Sequence, residues 1–172
     1  MNTARRFSCF VLAIACVFPC AVSADPHLFD QRRLFSIRSN YNKNEVVYEA
    51  LLDGGRLDRG RPVRVHWILH EDHDRLEGLS VLEERLAFGI EVDSVTDEVA
   101  HLHFKVAKQR LITVRWDGDQ LRAYMLLNGE ECALTSIYGV VTKYQLIPSV
   151  KYVELLGISS RTGKPVTERV QP

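Results

Sequence analysis

Cysteine is scarce where it would matter. Of four cysteines, Cys9, Cys16 and Cys20 fall in the first 24 residues, and Cys132 stands alone in the remainder. A single thiol cannot form an internal disulfide, so a stapled scaffold is excluded and the fold must rest on an apolar core. Glycine is sparse, ten in 172 residues, and no Gly-x-x-x-x-Gly-Lys run exists to cradle phosphates. No Gly-x-Ser-x-Gly places a serine nucleophile. Asp117-Gly118-Asp119 lacks the continuation of a calcium loop and reads as a turn. Net charge is also missing: 22 basic residues meet 22 acidic ones. With no basic excess and no polybasic tract, neither a nucleic-acid partner nor a charged membrane surface is expected.

What is present first is an export pattern. Arg5-Arg6 precede an apolar run from Phe7 to Phe18, and small residues Ala21-Val22-Ser23-Ala24 follow. This order is that of a secretory signal peptide, with cleavage expected near Ala24 and a mature chain beginning at Asp25. The apolar run falls short of the roughly 20 residues of a permanent span. Cys16 lacks the large aliphatic residue expected three positions before a lipidated cysteine, and the residues after Arg5-Arg6 fit twin-arginine export poorly. The protein is therefore expected outside the cytoplasm, periplasmic or extracellular. Removing 24 of the 172 residues leaves 148, with 20 basic and 22 acidic side chains. That is one domain able to build a core: a polar lead-in over 25–33 and a single β-rich domain over 34–172.

Beyond the lead-in the apolar period is two. Val63, Val65, Trp67 and Leu69 alternate with Arg64 and His66; Ala100, Leu102, Phe104 and Val106 alternate with His101, His103 and Lys105. Leu121, Ala123, Met125 and Leu127 continue the theme. Alternation places successive side chains on opposite faces of half-buried strands. Asp117-Gly118 and Asn128-Gly129 are two-residue hairpin signals that join strands near 111–116, 119–127 and 130–142. Asp53-Gly54-Gly55 closes the strand Val46–Leu52, and further strands are read at 34–38, 90–95 and 150–158, about nine in all. One segment differs. Ser80 and Glu83 form a capping box, Leu79, Leu82 and Leu86 share a helical face, and Gly89 is a stop. The fold class is mainly β: an antiparallel β-barrel or β-sandwich with one short α-helix near 80–88, its leucines packed on the sheet.

Two groups of residues could carry chemistry. His70 and His73 lie in the stretch His70-Glu71-Asp72-His73-Asp74, and His101 and His103 project from one strand face. A His-x-His pair with a third imidazole and an open position suits zinc or copper. Against it, Lys105 shares that strand face, which lies opposite Leu102 and Phe104 and so reads as solvated, while residues 70–74 read as a polar loop. No cofactor or metal is expected. Glu83, Glu84 and Glu154 could act as acids or bases. Glu154 is the weak catalytic candidate, because it falls on the face of Val150, Tyr152, Leu156 and Ile158 and needs a partner such as Arg85 if buried. Cys132 reads as a small buried apolar residue rather than a nucleophile. The aromatics Trp67, Trp116, Tyr48 and Tyr152 read as core residues, not a binding platform.

The order Ser39-Asn40, Asn44-Glu45-Val46-Val47-Tyr48, Val65-His66-Trp67-Ile68, Leu79-Ser80, Ala87-Phe88-Gly89, Tyr152-Val153-Glu154-Leu155-Leu156-Gly157, Thr162-Gly163-Lys164-Pro165-Val166 and Glu168 resembles a bacterial family of exported proteins catalogued as domain of unknown function 4833. The resemblance runs over about residues 34 to 172. It implies export and supplies no activity and no catalytic residues; the histidines at 70, 73, 101 and 103 have no counterpart in its pattern. Three functions compete. The first is a non-catalytic exported domain holding a small apolar ligand in its interior; the second is a structural or interaction domain for an envelope partner. The third is a metal-assisted enzyme using His70, His73, His101 and His103. A ligand binder needs an interior cavity, an interaction domain a filled core with exposed apolar side chains, and an enzyme a cleft with converging polar groups.

Overall fold

The computed structural model describes residues 32–142 and 149–171. The export segment 1–24 and most of the lead-in lie outside the described residues. Among the described residues thirteen strands follow one another: β1 Arg33–Ser39, β2 Glu45–Ala50, β3 Leu52–Asp53, β4 Arg56–Leu57, β5 Val63–Leu69, β6 Arg75–Gly78, β7 Ile90–Val95, β8 Val99–Phe104, β9 Ala107–Asp117, β10 Gln120–Leu127, β11 Glu130–Val141, β12 Val150–Ser159 and β13 Pro165–Val170. Eleven of them form one large curled sheet, and β3 and β4 form a separate hairpin. The class is mainly β with one short helix, and the expected nine strands are exceeded by short edge and hairpin pieces such as β4, β6 and β13. Among the described residues no helix is long and apolar enough to cross a membrane.

The sheet branches at β11. Its first half pairs with β10, its second half pairs with β1, and β12 pairs with it throughout. One arm runs β1-β2-β5-β6, the other β10-β9-β8-β7, and β12-β13 continues from the far edge of β11. The pairing of β1 with β11 is parallel, Ser36 opposite Ser136 and Ser39 opposite Gly139, the exception in an otherwise antiparallel sheet. The arms curl so that their apolar faces meet. Phe35 stacks on Tyr48 with ring centroids 4.3 Å apart, and Phe104 of the other arm meets both edge-on at 6.1 and 5.8 Å. Each such pair adds about 0.5–1.5 kcal/mol beyond its buried area. The phenol of Tyr48, wholly buried, donates to the carbonyl of Phe88 at 2.6 Å, and burial pushes its pKa up.

The local signals hold where the rule is local. Leu127 faces Glu130, and Asn128 and Gly129 both have positive φ, as the I′ hairpin requires. The neighbouring hairpin sits one residue later than expected. Asp117 faces Gln120, so Gly118-Asp119 is the loop, and only Gly118 has positive φ, the II′ pattern. The capping box of Ser80 and Glu83 forms, starting the helix α1 at Val81–Glu83, which widens into a π turn over Glu84–Phe88.

Other expectations are corrected. Leu82 and Leu86 do not pack on the sheet; with Val81 they are 67%, 61% and 84% exposed, and Leu79 and Phe88 make the inward contact instead. Gly89 ends the helical stretch in an extended conformation, not a left-handed one. A Cβ there would lie 1.8 Å from the Glu84 carbonyl oxygen, so the residue is needed for close approach. Strand β8 ends at Phe104, and Val106 stands exposed in the turn to β9 rather than on the apolar face. Trp116 is also partly exposed, beside the Gly118 turn. In β12 the buried residues are Leu155, Gly157 and Ser159, so Glu154 is on the opposite face from these. Both faces of this strand carry apolar residues, so alternation groups the residues of each face without saying which face is buried.

Candidate functional site

The four candidate histidines are held apart by the topology. His70 begins a 3-10 turn after β5, and His73 closes it in a left-handed conformation. The Nε2 of His70 lies 3.3 Å from Glu45 and its Nδ1 pairs with Asp74, whereas the His73 side chain is fully solvated. His101 and His103 project from β8 in the other arm. The Nδ1 of His101 is 3.2 Å from the Thr113 hydroxyl, and His103 lies between Asp93 at 3.1 Å and Glu91 at 3.4 Å. The face expected to be solvated is thus partly covered: His103 is only 9% exposed. Among the described residues no three His, Cys, Asp or Glu side chains are grouped so as to hold a metal ion.

Glu154 has a surface partner. Its register mate across β13 is Arg169, whose guanidinium reaches it at 2.7 Å and also covers the Tyr152 ring. Arg169 therefore takes the role expected of Arg85. Glu83 accepts from the backbone N–H and the hydroxyl of Ser80 and from the Trp67 indole, and Glu84 pairs with Lys105 at 2.9 Å; both carboxylates are engaged in holding α1. Cys132 is fully buried, and burial raises its pKa, which disfavours the reactive thiolate.

The pattern reading missed a charged row on the first arm. Glu45 and Glu49 fall on the face of β2 opposite Val46 and Tyr48, yet are 1% and 4% exposed. Glu45 receives Arg38 at 2.7 Å and Arg33 at 2.9 Å, and Glu49 receives Arg64. Burial alone would raise the Glu45 carboxyl; the two guanidiniums outweigh it and bring the pKa down to about 2. His66 lies beside Glu49 at 3.8 Å, buried, with no hydrogen-bond partner for either ring nitrogen, and desolvation lowers its pKa. The register makes this row legible in hindsight. Arg38 faces Glu45, and Arg64 faces Glu49, on neighbouring strands.

Hollows open at the surface of the described residues. One, of about 440 Å³, is bounded by Glu130, Glu131 and Arg161 near the Asn128-Gly129 turn. Another, of about 570 Å³, lies between β9 and β10. Leu111, Thr113, Tyr124, Met125 and Leu126 line it, together with the Arg110–Glu168 ion pair. The interior between the arms is occupied by side chains.

The family model for domain of unknown function 4833 matches residues 35–169. The chain belongs to that family. The match begins in β1 and ends in β13, so the family unit coincides with the branched sheet. Nothing matches among curated proteins or among solved structures. This domain of unknown function 4833 therefore brings a fold unit with it and no inherited activity.

Proposed function

We propose that this protein is an exported, non-catalytic interaction domain that binds a partner protein in the bacterial envelope. The observation that carries the reading is the outward apolar face of α1. Val81, Leu82 and Leu86 are exposed while the core between the arms is filled. Exposed apolar side chains are ordinary when scattered, but here they share one short element held in place on its other side. The capping box fixes its start, the Trp67 indole donates to Glu83 at 3.1 Å, and Phe88 packs edge-on against Trp67 at 5.3 Å. A rigid element presenting leucines loses little entropy on docking to an apolar groove of another protein. A small apolar ligand inside the sheet is less well supported, because the side chains of Phe35, Tyr48, Leu102, Phe104, Ile112 and Val114 pack together where the arms meet. The enzyme reading is disfavoured by the engagement of each candidate carboxylate and histidine, His73 apart, with protein partners.

Two measurements test it. N-terminal mass spectrometry of protein from its host should find a chain starting at or near Asp25 outside the cytoplasm; a cytoplasmic chain retaining Met1 defeats the export part. In cells lacking the gene, a Leu82→Asp/Leu86→Asp variant should fold and accumulate as wild type yet fail to restore the phenotype, while Glu154→Gln restores it. A folded, abundant Glu154→Gln protein without function would instead point to proton-transfer chemistry.

A further inference from the structure

The ladder between β9 and β10 is incomplete. It runs from Asp117 and Gln120 to Thr113 and Tyr124 and stops there. Beyond that point Met125, Leu126 and Leu127 pair with β11, and Leu111 and Ile112 pair with β8. The cause lies in β9. The partner of β8 jumps from Leu111 to Ala107 between His103 and Phe104, so residues 108–110 bulge out of the ladder. A bulge bends its strand and increases the local twist, which here takes the start of β9 away from the end of β10. The 570 Å³ hollow fills the resulting seam.

The alternation of an antiparallel ladder identifies which backbone groups line this seam. Residues that exchange both N–H···O bonds with one neighbour alternate with residues that turn the same groups to the other edge. Asp117 and Gln120 flank a two-residue turn and form such an exchanging pair, so Arg115·Arg122 and Thr113·Tyr124 do too. The next pair in this series would be Leu111·Leu126. Its members instead turn their N–H and C=O groups into the seam with no ladder partner across it. Counting from the other hairpin gives the same answer. Leu127·Glu130 is an exchanging pair, so the backbone groups of Leu126 point away from β11. The side chains of Leu111 and Leu126 stand beside these groups, 51% and 62% exposed. The register between the two strands closes no rung at Leu111 and Leu126, whose side chains line the hollow together with polar Gln109, Asn128 and Glu131, and backbone polar groups are rarely left without a partner or water.

We propose that the β9–β10 seam is an acceptor site for an extended peptide strand of another protein, with apolar side chains at alternate positions. Strand addition supplies main-chain hydrogen bonds to Leu111 and Leu126, and Tyr124, Met125 and the two leucines receive the alternate side chains. The Arg110–Glu168 ion pair borders the same hollow. The site uses no residue of α1 and goes beyond the helix-mediated reading.

Amide hydrogen exchange on the full chain, read residue by residue, tests it directly. In the free protein the amides of Leu111 and Leu126 should exchange at least about 100-fold faster than those of Thr113 and Tyr124. A soluble probe, acetyl-Lys-Thr-Val-Thr-Val-Thr-Val-Lys-amide, should bind saturably and slow exchange at Leu111 and Leu126 without changing β2 or β5. The same peptide N-methylated at alternate residues should bind at least about tenfold more weakly, and Leu126→Lys, at an exposed position, should weaken the unmodified peptide while leaving the unfolding midpoint in place. Protection of both amides in the free chain overturns the proposal. So does absence of saturable binding up to about 1 mM, or equal binding of the N-methylated peptide. Failure of the helix variant to change function would leave these results standing, so the two readings fail separately.

Discussion

Neutralising Glu45 should cost more stability than any other single charge change considered for the first arm, and the cost should vanish in acid. Glu45 is 1% exposed and held by Arg38 at 2.7 Å and Arg33 at 2.9 Å. Its carboxyl titrates at about 2 in the folded chain against an ordinary value of 4.5. At roughly 1.4 kcal/mol per tenfold in an equilibrium constant, that difference corresponds to about 3 kcal/mol favouring the charged folded form. Glu45→Gln imitates the protonated acid and should forfeit most of this at pH 7. The loss should stay at the lower end of the 3–5 kcal/mol seen when a buried pair is broken, because Arg33 and Arg38 are 35% and 54% exposed and can rehydrate. The sign of the pH dependence follows from the lowered pKa. The stabilisation is fully present above the unfolded value of about 4.5 and is lost as pH falls from there through about 2. Urea unfolding of wild type and Glu45→Gln between pH 7 and pH 2 measures it. The gap between the two curves should be about 3 kcal/mol at neutral pH and close toward zero near pH 2; other carboxylates titrate in both proteins and cancel in the difference. A gap under about 0.5 kcal/mol at pH 7, or one that does not change with pH, would refute the account of Glu45 as a buried anion held by two guanidiniums.

Two further outcomes are expected. Gly89→Ala should destabilise by about 1–3 kcal/mol or more in thermal or urea unfolding, with the π turn displaced, because the added methyl meets the Glu84 carbonyl rather than a flexible side chain; an unchanged midpoint would show that the turn relaxes freely. Cys132 should resist iodoacetamide at pH 8 in the native protein and react on unfolding, since it is buried and its thiol is pushed up by desolvation; labelling at the rate of a free thiol would show that the β11 segment opens.

How much of this molecule could be read from its sequence depends on the range of each rule. The Asn128-Gly129 turn and the Ser80–Glu83 box are settled within four residues, and both appear as expected. Strand faces depend on phase alone when one side is clearly apolar, as in β10, where Leu121, Ala123, Met125 and Leu127 are all buried. The segment Val150–Ile158 is apolar on both sides, so periodicity does not decide which side is buried: Glu154 does share its face with Val150, Tyr152, Leu156 and Ile158, but the buried side is that of Leu155, Gly157 and Ser159. The parallel contact of β1 with β11 joins positions exactly 100 residues apart, Ser36 with Ser136, and no local period reports it. The same branch point explains why helix leucines that look like core residues are not. With the arms closed on Phe35, Tyr48 and Phe104, the interior is already occupied, and Leu79 just before α1 and Phe88 at the end of the π turn make the contact with it.

The charged row on β2 was hidden for a different reason. Glu45-Val46-Val47-Tyr48-Glu49-Ala50 alternates as a half-solvated strand does, and the pattern assigns its acids to water. A pattern records which face a residue is on and not what long side chains lie over that face. Arg33, Arg38 and Arg64 bring their guanidiniums onto the acids from the neighbouring strands and neutralise them there. The sequence signal is therefore a pairing rule, in which an acid on one strand meets an arginine at the same-face position of its neighbour, as Arg38 meets Glu45 and Arg64 meets Glu49. Applied to β12 and β13, the rule also identifies Arg169 as the partner of Glu154. It moves the place of buried charge from Glu154, whose side chain is 26% exposed, to Glu45, whose side chain is 2% exposed.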